Sequence, residues 1–142
     1  MASRSSGLAR VYQIEHLQHQ EQGRVVQTLS AEHEKQRAML AKLADYRDEY
    51  YADNEVGQAA VHNLVFQQRF VLQLTQTIRQ QEVVCQEAES ALQQQLIIWM
   101  NQKNRLDVIE QKLQSQQLRD DVQRDKRQET EIQDLYNQLN HS

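Results

Sequence analysis

Residues 64–113 decide the fold, and they read LVFQQRFVLQLTQTIRQQEVVCQEAESALQQQLIIWMNQKNRLDVIEQKL. Every seventh residue of this stretch is apolar: Leu64, Val71, Ile78, Cys85, Leu92, Trp99, Leu106 and Leu113. The column three residues further on mixes apolar residues with glutamine: Gln67, Leu74, Gln81, Ala88, Gln95, Gln102, Ile109 and Gln116. A repeat of seven predicts a helix that supercoils with a partner helix, because it keeps one face turned towards that partner.

The composition limits the chain to a helical architecture. Its 142 residues include three Gly, no Pro and 26 Gln, and the mean hydropathy is −0.85. A sheet protein needs more turn residues than this, and enzyme folds with glycine-rich active-site loops need more glycine. We therefore predict an all-α protein, a long antiparallel two-helix coiled-coil hairpin, and we predict that it is not an enzyme.

One segment is typical of a loop. Residues 53–57, DNEVG, bring turn-forming residues together between two long helix-compatible stretches. We predict a single hairpin domain over residues 1–142, with helices at about 8–52 and about 58–140 joined by this turn. Residues 1–7 are expected to form a frayed N-terminus.

The predicted turn also sets the register. A chain that folds back near residue 55 pairs residues whose numbers add up to roughly 110, which places Trp99 near Val11 and Leu92 near Leu17. The last ~35 residues of the longer second helix would then overhang at the usual helical rise. The overhang carries an apolar stripe in a new phase: Leu118, Val122, Ile132, Tyr136 and Leu139. We predict that it finds a partner elsewhere.

Reactive side chains give no candidate for catalysis, a cofactor or a metal ion. His16 and His19 stand three residues apart, but a metal would need further ligands that the facing stretch does not offer. We interpret both, and His33, as surface histidines. Cys85 occupies the heptad column and is interpreted as a small core residue.

Charge and hydropathy indicate a cytoplasmic protein. The net charge is −4 and is spread evenly, so no basic face is large enough to predict nucleic-acid binding. No apolar run approaches the roughly 20 residues of a membrane span, so direct membrane insertion is not expected. The N-terminus lacks the apolar stretch of a signal peptide.

The densest basic patch lies in the predicted overhang and consists of Arg119, Arg124, Lys126 and Arg127. Three aspartates are interleaved with it. This pattern fits a solvated helix surface with pairs at helical spacing, and it also fits a surface that docks on the charged rim of a partner.

Aromatic residues cluster on both sides of the predicted turn. Tyr46 and Tyr50 are four residues apart before it, and Phe66 and Phe70 are four residues apart after it. A two-helix coil is too thin to bury all of these rings, so some should be exposed. Exposed rings favour a binding patch, although rings could also simply thicken the coil near its turn.

Three short motifs occur in the order and spacing of a known family. Residues 43–50 read LADYRDEY and fit Leu-x-x-Tyr-x-x-x-Tyr before the turn. Residues 70–78 read FVLQLTQTI and fit Phe-x-x-x-Leu-x-x-x-Ile after it, and residues 99–106 read WMNQKNRL and fit Trp-x-x-x-Lys-x-Arg-Leu. With these motifs, the chain resembles the FliJ family, the coiled-coil proteins of the flagellar type III export apparatus.

The resemblance implies a non-enzymatic stalk and adaptor. Proteins of this family resemble the central stalk of rotary ATP synthases, insert the paired ends of their coil into the export ATPase hexamer, and touch the cytoplasmic domain of the export gate. They also escort export chaperones. The resemblance further implies peripheral association with the inner-membrane export apparatus and a monomer when the chain is isolated.

The resemblance also implies two sets of contact residues. Those for the export gate, expected to be exposed near the turn, are Leu43, Tyr46, Tyr50, Phe70 and Leu74. Those for the ATPase ring, at the other end of the coil, are Val11, Trp99, Arg105, Leu118 and Val122. This chain carries Met39 and Gln81 where the family can carry Gln and His, so it departs from the family pattern at the edges of the gate-contact set.

Two alternatives fit the same sequence. The first is the equivalent stalk protein of a virulence type III secretion injector. The second, from a different class, is a self-assembling structural coiled coil without an ATPase partner. Self-assembly would make the seam and the overhang symmetric contacts, whereas a stalk would be monomeric alone.

Overall fold

The computed structural model describes the backbone of residues 2–55 and 61–141 and the side chains of residues 7–52 and 64–141. All of this backbone is helical, in α1 (Ala2–Glu55, 54 residues) and α2 (Val61–His141, 81 residues). The two helices pack against each other in an antiparallel sense. The predicted all-α hairpin is therefore confirmed.

The helix bounds differ from the predicted ones at two places. The first helix begins at Ala2 instead of residue 8, so the segment expected to fray has helical backbone. Asp53–Glu55 of the predicted turn belong to α1, while Val56 and Gly57 lie outside the described residues. Neither segment contains proline, so only modest helix-propensity costs, at most about 1 kcal/mol per residue, oppose helix there.

The heptad seam predicted for α2 is confirmed over residues 67–116. Both columns of the repeat are buried or half-buried there, and the most buried side chains of the described residues all belong to them. These are Leu74, Ile78, Cys85, Leu106 and Ile109. The first member of the column, Leu64, is exposed instead.

The packed helices form two compact units. One unit is Gln22–Trp99, and the other consists of Met1–Glu21 and Met100–Ser142. Each unit contains one segment of each helix, so each has its own part of the seam.

The predicted register of the two helices differs from the observed register by about one heptad. In the unit Gln22–Trp99, side-chain hydrogen bonds join Gln36 to Gln81 and Gln22 to Gln95, and both pairs of residue numbers add up to 117. A shift of seven residues leaves the same face of α2 in the seam, which is why the heptad prediction survives the error. The shift arises because α1 continues to Glu55 and α2 begins no earlier than Val61 among the described residues.

The corrected register changes which residues of α1 enter the seam. Val11 and Leu17, predicted to lie near Trp99 and Leu92, are exposed. His19 and His33, interpreted as surface residues, are instead half-buried at seam positions. The seam of α1 is a regular series of half-buried side chains at alternating steps of three and four: Leu8, Tyr12, Glu15, His19, Gln22, Val26, Leu29, His33, Gln36, Leu40, Leu43, Arg47 and Tyr50.

Candidate partner-binding surfaces

A cluster of three rings joins the last turns of α1 to the first turns of α2. The centroid of the Phe70 ring lies 4.7 Å from that of Tyr50 and 6.0 Å from that of Tyr46. The planes of Tyr46 and Phe70 meet at 70°, an edge-to-face arrangement that aromatic pairs favour. Because Phe70 packs against two tyrosines of the other helix, it is part of the packing as well as of the surface.

The residues predicted to contact the export gate differ in exposure. Tyr46 is 52% exposed, whereas Leu43, Tyr50 and Phe70 are half-buried. Leu74 is only 8% exposed, so the expectation that it is a surface residue was wrong. Leu74 lies three residues after Val71 in the second heptad column, and that position turns its side chain into the seam.

Phe66 is the most exposed ring of this region, at 78%, although the family motifs do not include it. It lines a groove of about 360 Å³ together with Tyr46, Tyr50 and Phe70. The groove therefore joins Phe66 to three of the predicted gate-contact residues. In the sequence, only the spacing of four residues between Phe66 and Phe70 indicated that Phe66 belongs to this cluster.

A second groove, of about 410 Å³, lies beside Tyr50 and Tyr51 and runs along α2. Leu64, Val71 and Leu72 give it apolar walls. Its other lining residues are mostly polar: Gln67, Gln68, Thr75, Gln76 and Arg79. The two grooves share Tyr50 and Gln67, and they add Leu64, Phe66 and Leu72 to the apolar side chains near the motif residues.

The two residues that depart from the family pattern have different environments. Met39 is exposed. Gln81 is half-buried, and its Nε2 donates to the backbone oxygen of Gln36 at 3.0 Å and to the Oε1 of the same residue at 2.7 Å. Gln81 is therefore engaged in the seam, and only Met39 extends the surface at this edge.

Four of the five residues predicted to contact an ATPase ring lie in the unit of Met1–Glu21 and Met100–Ser142. Val11, Leu118 and Val122 are exposed apolar residues. Arg105 has an exposed side chain, and its Nη2 lies 3.1 Å from Oε1 of Glu15 across the seam. These residues are available to a partner, with Arg105 also linking α1 to α2.

Trp99, the fifth residue, has a packing role in the other unit. It is half-buried, and its indole lies over Gly23 of α1. A Cβ at position 23 would come within 3.2 Å of the Trp99 Nε1. Gly23 therefore lets the indole approach the α1 backbone closely, which explains a glycine inside a long helix.

The end of α2 is almost entirely exposed. From residue 117 to residue 141 every side chain except that of Asp121 is exposed. The one ion pair found in this segment joins Arg124 to Asp121 at 2.7 Å within the helix. The seam thus ends at Gln116, close to where α1 has no more residues to offer in this register.

The described residues contain no group of three or more metal-ligating side chains, and no helix among them is both long and apolar enough to span a bilayer. Cys85 is a buried free thiol of the seam, as interpreted from its position. Comparisons with protein-family models, curated proteins and solved structures find no match.

Proposed function

We propose that this chain is a non-enzymatic stalk and adaptor of the flagellar type III export apparatus. In this role it couples the export ATPase ring to the membrane export gate and escorts export chaperones. It works as a cytoplasmic protein peripherally associated with the inner-membrane export apparatus.

One observation carries the proposal. The Tyr46–Phe70–Tyr50 cluster combines an exposed ring, that of Tyr46, with the half-buried ring of Phe70, which packs against both tyrosines of the other helix. Aromatic anchors that are held rigidly at a surface lose little side-chain entropy when a partner binds them. A gate-binding patch requires this combination of rigidity and exposure.

The exposed residues of the other unit supply support for a second contact. Val11, Leu118 and Val122 are apolar and accessible, and Arg105 of the same unit has an exposed side chain that pairs with Glu15. An apolar surface with a polar rim is typical of protein interfaces. The proposal assigns this set to the ATPase ring.

The continuity of α2 suits a coupling role. The helix runs from Val61 to His141 without a break, and its backbone hydrogen bonds are all local. A long helix is a suitable element for carrying two separate binding surfaces on one chain.

The experiment that tests the proposal measures two interactions with one pair of variants. Tyr46→Ala should weaken binding to the soluble domain of the export gate by about tenfold or more, because truncating a central aromatic anchor costs at least about 1–2 kcal/mol. Stimulation of the cognate export ATPase should stay at the wild-type level. Tyr136→Ala, the matched control in the other unit, should leave gate binding intact.

Tyr46 is preferred to Phe70 for this test. Phe70 is half-buried between two tyrosines, so Phe70→Ala also removes packing and its effect would mix stability with binding. If the folded Tyr46→Ala protein binds the gate domain as well as wild type does, the gate assignment is wrong. A wild-type chain that binds neither gate nor ATPase would refute the whole proposal.

A further inference from the structure

The exposed end of α2 carries an apolar stripe that no described residue covers. Leu118, Val122, Ile132 and Tyr136 are each between 49% and 66% exposed. Leu118 and Tyr136 are 18 residues apart, which is five full helical turns, so the stripe runs straight along the helix. The seam columns continue through different, polar residues in this segment, such as Gln123 and Thr130, so the stripe is separate from the seam.

Two carboxylates interrupt the centre of this stripe. At about 100° per residue, Asp125 and Glu129 each fall within about 20° of the line that joins Leu118 to Tyr136. Both side chains are exposed. The stripe thus consists of two apolar ends with a doubly acidic centre.

These carboxylates have no cation of their own. The ion pairs among the described residues leave out both Asp125 and Glu129, although Lys126 and Arg127 are close in sequence. Like charges four residues apart on a helix destabilise it by about 0.2–0.5 kcal/mol. The two acids are therefore slightly unfavourable for the isolated helix, and a cation that faces both would relieve their repulsion.

We propose that residues 118–136 form a docking surface for a helical partner segment that has apolar ends and an Arg or Lys at its centre. The apolar residues bury surface against the partner, and Asp125 and Glu129 clamp the central cation between them. A guanidinium fits best, because its fixed fork of donors can reach two carboxylates at once. The surface includes Leu118 and Val122, which the proposed function assigns to the ATPase ring. The inference rests on that assignment only for the identity of the partner, and it adds the chemistry of the partner segment.

A second copy of this chain does not fit the surface. In a parallel pair the Glu129 side chains of the two copies face each other. In an antiparallel pair with full overlap of the stripe, each Glu129 lies opposite Asp125 of the other copy. Either arrangement places like charges directly opposite in a desolvated contact, which is destabilising. The same two carboxylates thus select a cationic partner and disfavour self-association.

The test uses the full-length chain and three synthetic amphipathic helical peptides as probes. The peptides share one apolar heptad pattern and differ only in their central residue, which is Arg, Gln or Glu. Fluorescence anisotropy should show that the Arg peptide binds about fivefold more tightly than the Gln peptide and that the Glu peptide binds most weakly. High salt should reduce these differences because it screens the charges.

Two isosteric double variants identify the residues responsible. Asp125→Asn with Glu129→Gln should abolish the preference for the Arg peptide while keeping the helix and its apolar stripe. Glu131→Gln with Asp134→Asn removes the same charge from the opposite face of the helix and should keep the preference.

The proposal fails if none of the peptides binds, if all three bind equally, or if the preference survives in the Asp125→Asn, Glu129→Gln protein. It also fails if sedimentation shows a dimer of the wild-type chain that stripe substitutions dissolve, since a second copy would then be the occupant. No ATPase or gate component enters this assay, so its result is independent of the proposed export function.

Discussion

Two amphipathic stretches of α2 have opposite environments. Residues 67–116 place both heptad columns against α1, with side chains as buried as Ile78, which is 4% exposed. Residues 118–141 are also amphipathic, but Ile132 is 66% exposed. The first stretch faces α1, whereas α1 has no more residues to offer beyond Gln116, and the apolar residues of the second stretch also leave the phase of the seam. An apolar stripe beyond the end of the internal seam therefore favours a surface for another molecule.

The largest expected effect is a difference in the loss of stability when two isoleucines of α2 are replaced by alanine. Ile78→Ala should lower the free energy of unfolding by about 2–4 kcal/mol, because it removes buried methylenes and leaves a cavity in the seam. Ile132→Ala should change it by less than about 0.5 kcal/mol, as expected for an exposed position. Urea denaturation followed by circular dichroism measures both. Equal losses would mean that residues 118–141 have an internal partner.

A smaller difference in stability is expected when two glutamines of the seam are replaced by leucine. Gln81→Leu should cost about 1 kcal/mol, since Gln36 loses the donor to its Oε1 in a half-buried place. The buried Oε1 of Gln102 has no hydrogen-bond partner among the described residues. Gln102→Leu should therefore be neutral or stabilise the protein by up to about 1 kcal/mol. The same denaturation measurement applies, and a costly Gln102→Leu would show that this side chain has a partner in solution.

Alanine substitutions at two helical glycines should differ in stability by a similar amount. Alanine is favoured over glycine in a helix by about 1 kcal/mol, and a Cβ at Gly7 would meet no atom within 4 Å. Gly7→Ala should thus raise the thermal midpoint, although less than in a helix centre. Gly23→Ala should raise the thermal midpoint less than Gly7→Ala or lower it, because Trp99 must move away from the new Cβ. In a Trp99→Leu background, Gly23→Ala should raise the thermal midpoint, because the indole is no longer there. An equally large rise in the wild-type background would contradict the close packing of Trp99 on Gly23.

The smallest effect concerns the ion pair across the seam of the second unit. Arg105→Ala should cost no more than about 0.5 kcal/mol, because the Arg105 side chain is largely exposed and water screens its pairing with Glu15. Glu15→Gln in the Arg105→Ala protein should then cost nothing further in a double-mutant cycle. A coupling energy of several times this size would mean that the pair is shielded from solvent when the protein is in solution.

The heptad columns made the helical hairpin and its seam predictable, but not the register. The repeat of seven restricts the pairing to steps of a heptad without choosing among them, and the choice depended on the loop. DNEVG contains good turn formers, yet its first three residues continue α1, since local preferences of that size are easily outweighed by packing. Because the prediction ended the first helix before Asp53, it shifted the facing pairs by about one heptad.

Leu74 shows how the two kinds of sequence reasoning can disagree. The second heptad column places it in the seam, while the family motif places it among exposed contact residues. The structure follows the column, because seven-residue spacing reports the direction of the side chain and a motif match does not. Exposure of Tyr46 and Phe66 was expected in outline from the girth of a two-helix coil, whereas the contact of Trp99 with Gly23 required the correct register.

Hydrogen exchange of the backbone amides, read by mass spectrometry on the full-length chain, tests the central claim most directly. Peptides from residues 74–109 should exchange at least about a hundredfold more slowly than peptides from 118–141, because only the first stretch is held by a partner helix. Adding the cognate export ATPase should slow exchange in 118–141 and leave the region of Tyr46 and Phe70 unchanged. Equal protection of the two stretches in the free chain, or protection by the ATPase at the aromatic cluster instead, would contradict the account.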